Sequence, residues 1–236
     1  GTLLCIHRLG RWSARQPPAP GQHTGEPLGG SIFAGLTLIV RSPYLLGIAL
    51  FMLLFTTLAT FLYFEQAHIV AQSFGTSAER TRFFALLDLA VNTLTVLTQV
   101  LITSRLLTRL GVAGSLALMP LLAALGFALL ALTPALATLA GFQVLRRAGE
   151  YAVTRPAREL LYTVVDRETK YKAKNALDTV MYRGGDALAG WLFTGLKSLG
   201  AGLAAIAWIA VPLALVWAAV AYWLGRRQAA LSRPGN

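Results

Sequence analysis

Charge is what this sequence has least of. Only 13% of its 236 residues are Asp, Glu, Lys or Arg, while 56% are hydrophobic. A soluble domain carries about a quarter charged residues, so a soluble globular fold is excluded. Cysteine is almost absent as well. The lone Cys5 rules out an internal disulfide and any cysteine-based zinc cluster. No HExxH, GxSxG or Walker A pattern occurs along the chain, so nothing specific supports an enzyme, and neither a cofactor nor a metal is expected. No signal peptide with a small-residue cleavage site opens the chain.

What remains is apolar and arranged in blocks. A bilayer-spanning helix needs about 20 such residues, and six candidates follow one another: Tyr44–Phe64, Phe83–Thr103, Val112–Leu132, Ala135 to Thr154, Ala176–Leu196 and Leu203–Leu224. Pro212 sits inside the last, where neighbouring helices tolerate a kink. These blocks predict an all-α transmembrane bundle over residues 43–228. Ahead of it, residues 31–42 read as a short interfacial helix, with proline following at a helix start. Residues 13–30 read as a Pro/Gly-rich cytoplasmic linker, and residues 1–12 as the last turns of a preceding transmembrane helix. Residues 229–236 form a cytoplasmic tail.

The formal net charge of +11 does not point to nucleic acid, because the basic residues cluster at the ends of apolar blocks. With the linker inside, 15 Lys and Arg fall in inner segments against three, Arg80, Arg82 and Lys197, in outer ones. The positive-inside rule therefore places both ends in the cytoplasm. The expected location is therefore a membrane, crossed several times, with the lipid bilayer as the first partner.

Ionised side chains within spans are costly unless they face protein, water or a partner, and so mark function. The densest group is LRRAGEYAVTRPARE, from Leu145 to Glu159. Arg146 lies on the order of 15 Å below the outer end of its helix, near mid-membrane. Arg146 and Glu150 share a face, as do Arg147 and Tyr151, and Arg183 and Asp186 nearly do in the next span. One reading makes Arg146–Glu150 and Arg183–Asp186 internal ion pairs that fix helix packing. The other has the arginines lining a water-filled cavity for a small anionic substrate, to which a guanidinium fork is suited if it carries phosphates. Three arginines against two acids leave a positive surplus for the second.

Nearer the outer face, Glu65, Gln66 and His68 end the first span, and Asp88 and Asn92 begin the second. Glu65 and Asp88 fall at similar depth. They can form a proton or cation relay, an outer gate that pairs with an arginine in one state, or simply a solvated interface. Gly184-Gly185 permits either close helix contact or a local break. Arg155, Arg158 and Glu159 near the inner surface can close as a charge cluster in one transport state. The run from Lys170 to Lys174 satisfies the positive-inside rule and can contact anionic lipid.

Six helices with both ends inside resemble half of a twelve-helix transporter of the major facilitator superfamily. The connection SRLLTRLG, Ser104–Gly111, is similar to that superfamily's basic loop: it keeps Arg105, Arg109 and Gly111 but lacks the usual aspartate. A more specific resemblance covers Arg155 to Asp186, RPARELLYTVVDRETKYKAKNALDTVMYRGGD. Its Pro156, Arg158, Glu159, Leu160 and Tyr162, its Lys170-Tyr171-Lys172-Ala173-Lys174 run and its Asp178 resemble the bacterial and plastidic ATP/ADP translocase family. The resemblance implies a facilitator-like fold, here the C-terminal six-helix half, with an N-terminal half of the same protein as partner. It also implies nucleotide exchange by alternating access. In that scheme Arg146, Arg147, Glu150, Tyr151, Arg183 and Asp186 would meet substrate. Glu65, Asp88, Asn92, Arg155, Arg158 and Glu159 would gate or couple ions. A proton-coupled facilitator for another organic anion or a drug fits the same residues, and a non-transporting membrane scaffold or sensor is the alternative outside transport.

Overall fold

A computed structural model of the chain describes residues 32–232. The sequence-based expectations for residues 1–31, the preceding helix and the linker, lie outside the described residues, as does the end of the expected tail. Among the described residues the regular structure is entirely helical. The first helix, α1 (Ile32–Arg41), is followed by α2 (Pro43–Ser73), α3 (Ser77–Leu101) and α4 (Thr103–Leu132). Then come α5 (Leu136–Gly149), a π turn (Glu150–Thr154), α6 (Arg155–Leu161) and one 3₁₀ turn (Tyr162–Val164). A second interrupted unit contains α7 (Arg167–Ala176), a π turn (Leu177–Met181) and α8 (Tyr182–Ser198), and α9 (Leu203–Leu231) closes the fold.

Local chemistry sets the boundaries. Ser42 caps α2 by accepting the Leu45 N–H at 3.4 Å, and Pro43 takes the first helical position, where its missing N–H costs nothing. Thr76 and Glu79 form a reciprocal capping box at α3. The connection expected at Ser104–Gly111 is largely helical, and the break falls on Gly111 alone. Its φ of 65° and ψ of −174° belong to a region that a Cβ makes inaccessible.

Four helices, α2, α3, α4 and α9, are long and apolar enough to cross a membrane. They correspond to the first, second, third and sixth expected spans, and they make the protein an integral, multi-pass membrane protein. The fourth and fifth expected spans are helical too, but the fourth ends and the fifth begins in a π turn, and each carries the charges already noted.

Side-chain bonds show which helix ends meet. Tyr44 Oη donates to the Leu161 carbonyl at 2.7 Å, Gln228 Nε2 to Thr163 Oγ1 at 3.3 Å, and Lys174 Nζ to Glu159 at 2.8 Å. The start of α2, the end of α6, the body of α7 and the end of α9 thus gather at one end. Successive long segments must therefore alternate in direction. The core is built around α2, whose Phe51 and Phe55 rings meet Trp217 of α9 and whose Phe61 and Phe64 rings meet Phe193 of α8. By contrast, α3 buries only Leu87 and Val91. Gly185 lies where Thr56 and Leu53 of α2 occupy the space of a side chain, whereas Gly184 faces open space. Close packing therefore accounts for one glycine, and the helix distortion lies upstream at Leu177–Met181.

Asp166 caps α7, its Oδ2 accepting the Thr169 N–H at 2.9 Å. That backbone bond holds the carboxyl below its usual range. Because the folded-state value is the depressed one, the stabilisation is complete above the ordinary carboxylate range. It is lost as pH falls through the lowered folded value. Asp166→Ala should cost about 1 kcal/mol at neutral pH and progressively less in acid, as read by thermal unfolding in detergent. Asp166→Ser, a cap that does not titrate, should retain most of the stability in both conditions.

Candidate functional site

The site begins with a proline in the wrong place for a regular helix. Pro156 has no N–H to offer the carbonyl four residues earlier, and its ring presses on that carbonyl. The chain widens over Glu150–Thr154, and the Arg155 N–H bonds to the Glu150 carbonyl, five residues back. Two carbonyls are thereby left over, and neighbouring helices answer them. Gln99 Nε2 donates to the Tyr151 carbonyl at 3.3 Å, and Thr103 Oγ1 donates to that of Ala152 at 2.8 Å. Irregular backbone within a membrane bundle needs such partners.

Around this turn lies a continuous polar chain. Gln66 of α2 accepts from Gln143 Nε2 of α5, and Gln143 Oε1 accepts from Arg146 Nη2 at 3.3 Å. Arg146 Nη1 stands 3.7 Å from Glu150, whose other oxygen is 3.5 Å from Arg155 Nη2. The Arg155 guanidinium lies 4.2 Å over the Tyr151 ring, within cation–π range. Alongside, Arg147 Nη1 donates to Asp88 of α3 at 2.6 Å. Arg146 and Glu150 are mostly covered by protein, both with side chains 14% exposed, whereas Arg147 and Asp88 are more open at 33% and 55%. Arg146, Arg147 and Arg155 face only Asp88 and Glu150 as counter-charges, so this patch keeps a surplus positive charge. An accessible surplus of guanidinium groups is an anion-binding surface.

The remaining expected residues are distributed differently. The Arg146–Glu150 pair forms, but Arg183 and Asp186 do not pair: Asp186 accepts from Thr60 Oγ1 at 3.3 Å. Arg183 is exposed and has no ion pair among the described residues. Tyr151 meets Arg155 rather than Arg147. Asp88 engages Arg147, while Glu65 is buried at 1% exposure and its Oε1 has no hydrogen-bond partner. Asn92 is exposed on α3 and His68 is exposed on α2. Arg155, Arg158 and Glu159 do not form one cluster, since Glu159 binds Lys174 and Arg155 binds Glu150. Among the described residues no group of His, Cys, Asp or Glu is suited to a metal. A groove of about 320 Å³ between α4 and α5 is lined by Leu125, Leu129, Phe142 and other mainly apolar groups, and none of the charged residues lines it.

Sequence reasoning missed Thr60, Gln99, Thr103 and Gln143. A polar side chain inside an apolar block signalled each of them, but only the fold shows which partner it serves.

A family model described as the TLC ATP/ADP transporter matches residues 30–228. The chain belongs to that family. Comparisons with curated proteins and with solved structures give no match. The family match extends over every charge of the site and over both π turns, far beyond the 155–186 stretch that carries the sequence resemblance. The residues of the polar chain thus all lie inside the portion that defines membership of the TLC ATP/ADP transporter family.

The buried carboxyl of Glu65 carries a structural cost. A buried polar atom left without a partner is destabilising by about 1–3 kcal/mol. Glu65→Leu keeps most of the bulk and removes the orphaned oxygen. It should raise the unfolding temperature in detergent, and a fall would show that the carboxyl is stabilising where it stands.

Proposed function

We propose that this protein is a secondary transporter that exchanges nucleotides of the ATP/ADP type across a bacterial inner membrane by alternating access. The observation that carries the reading is the arginine-rich chain along α5 and its π turn, in a member of an ATP/ADP transporter family. Di- and triphosphates present several anionic oxygens in a compact group, and guanidinium forks recognise them by paired, charge-assisted hydrogen bonds. Arg146, Arg147 and Arg155 supply the positive wall, with Arg183 added from α8. Glu150 and Tyr151 orient Arg146 and Arg155, and Asp186, held by Thr60, stands beside Arg183 in sequence as a further polar group for the substrate. Asp88 competes with the substrate for Arg147, and its release accompanies binding.

The six helical segments beyond α1 act as one half of a major-facilitator-like bundle, rocking against an N-terminal half of the same protein. Both ends of the segment lie in the cytoplasm. The Lys174–Glu159 contact belongs to the inner end, where it breaks and reforms as that side opens and shuts. The deciding experiment reconstitutes the protein in liposomes and follows labelled ATP entering vesicles preloaded with ADP. Uptake that requires internal nucleotide supports exchange, and uptake equal to that of empty vesicles overturns it.

A second reading draws on Glu65, a buried carboxyl without a partner, which is a fitting place for a proton to bind and leave. Under it the protein is a proton-coupled carrier of another organic anion or a drug. An imposed proton gradient, applied without internal nucleotide, separates the two: only the coupled carrier accumulates substrate.

A further inference from the structure

The π turn does more than accommodate a proline. In an α-helix residues advance by 100° each, so positions five apart point about 140° away from each other. Glu150 and Arg155 are five apart and nonetheless stand 3.5 Å from each other. The ion pair exists because the turn between them is widened, which brings both onto one face. Whatever keeps the turn wide therefore decides where Arg155 and Glu150 point.

We infer that Gln99 and Thr103 are positioning residues for the nucleotide site, holding the Glu150–Thr154 turn open through the carbonyls of Tyr151 and Ala152. The inference rests on the arginine-lined site proposed above. Thr103 Oγ1 lies 2.8 Å from the Ala152 carbonyl and 3.1 Å from that of Thr98 on its own segment. A hydroxyl has one hydrogen to give, and the shorter contact crosses to the turn. Pro156 gives the arrangement its one-way character. With no N–H at position 156, the Ala152 carbonyl has no regular α-helical donor to return to. Gln99 and Thr103 come from the end of α3 and the start of α4, so the turn is tied to two elements that do not themselves carry the arginines. Movement of the α3–α4 junction is thus transmitted to the orientation of Arg155 and Glu150.

The test combines a stability cycle with transport kinetics on the intact protein. Thr103→Val removes the donor and keeps the shape, Thr103→Ser keeps the donor, and Pro156→Ala returns an N–H to the Ala152 carbonyl. Thr103→Val is expected to lower the unfolding temperature, and in the Pro156→Ala background that loss should shrink by about half or more, because the carbonyl then has another partner. In liposomes, Thr103→Val and Gln99→Leu should each raise KM for ADP about tenfold, with insertion and kcat little changed, and Thr103→Ser should behave as the native protein. Additive temperature losses in the cycle, or a serine variant as impaired as the valine one, would overturn the proposal. So would an unchanged KM in a preparation whose Arg147→Ala variant has lost exchange. If Arg147→Ala itself exchanges normally, the site reading is what fails, and the stability cycle alone decides whether the two side chains hold the turn.

Discussion

Replacing Arg147 with alanine is expected to lower nucleotide exchange by about 100-fold or more, with the protein still inserted and folded. Truncating one partner of a close, charge-assisted contact costs about 2–5 kcal/mol where water is excluded, and a polyphosphate held by several guanidinium groups makes such contacts in an occluded state. Folding is spared for a separate reason. The side chain of Asp88, the residue Arg147 binds, is 55% exposed, so removing the arginine leaves a carboxylate that is not enclosed in the packed core of the bundle. Arg146 offers no such separation. Its side chain is 14% exposed and holds both Gln143 and Glu150, so its loss strands mostly covered polar groups and mixes folding with function. Arg147→Lys keeps the charge but not the planar fork, and intermediate activity is expected. The readouts are labelled ATP entry into ADP-loaded liposomes and thermal unfolding of the same sample. Wild-type kinetics in Arg147→Ala would remove Arg147 from the substrate site.

Asp88→Asn separates a second role from this one. If Asp88 competes with substrate for Arg147, the neutral variant should bind nucleotide more tightly and release it more slowly, lowering KM and kcat together. An Asp88 that only anchors α3 would leave KM alone and lower the unfolding temperature.

The sequence made some of this arrangement legible and hid other parts, for identifiable reasons. Apolar blocks report transmembrane helices directly, which is why α2, α3, α4 and α9 coincide with expected spans. An i, i+4 spacing is a statement about one helix, so Arg146–Glu150 could be anticipated without a fold. The same reasoning failed for Arg183–Asp186, because a nearby hydroxyl on another helix, Thr60, engages Asp186 instead. Tyr151 lies inside the π turn, and its ring meets the Arg155 guanidinium, an i, i+4 contact that the sequence reading did not single out. Proline in the run VTRPARE was visible from the start, yet its consequence for register depends on whether other helices supply donors to the freed carbonyls. Gln99 and Thr103 are more than 45 residues away in sequence from the groups they serve. Periodicity within one segment cannot pair them.

Gly225→Val is expected to be the most damaging change to the fold itself. The backbone of α9 at Gly225 lies so close to α4 that a Cβ there would meet Ala113 at its Cα, its N and its Cβ. A flexible side chain could turn aside, but a helix backbone cannot. The added atoms must push α9 and α4 apart along their shared face, where Ala210, Ala214, Ala218 and Ala221 of α9 are buried in turn. Overpacking of this kind costs about 1–3 kcal/mol and occasionally more, and the rigidity of the obstacle puts this position at the upper end. For a chain of this size that corresponds to a fall in unfolding temperature of about 10 °C, together with poor recovery from the membrane. Gly141→Ala is the matched control. Nothing lies within 4 Å of the Cβ it would add, and glycine inside a helix is less favourable than alanine by roughly 0.5–1 kcal/mol, so that variant should be neutral or slightly more stable. Equal behaviour of Gly225→Val and Gly141→Ala in thermal unfolding would mean that α4 and α9 do not approach this closely in the membrane, and that their contact is not what fixes the bundle.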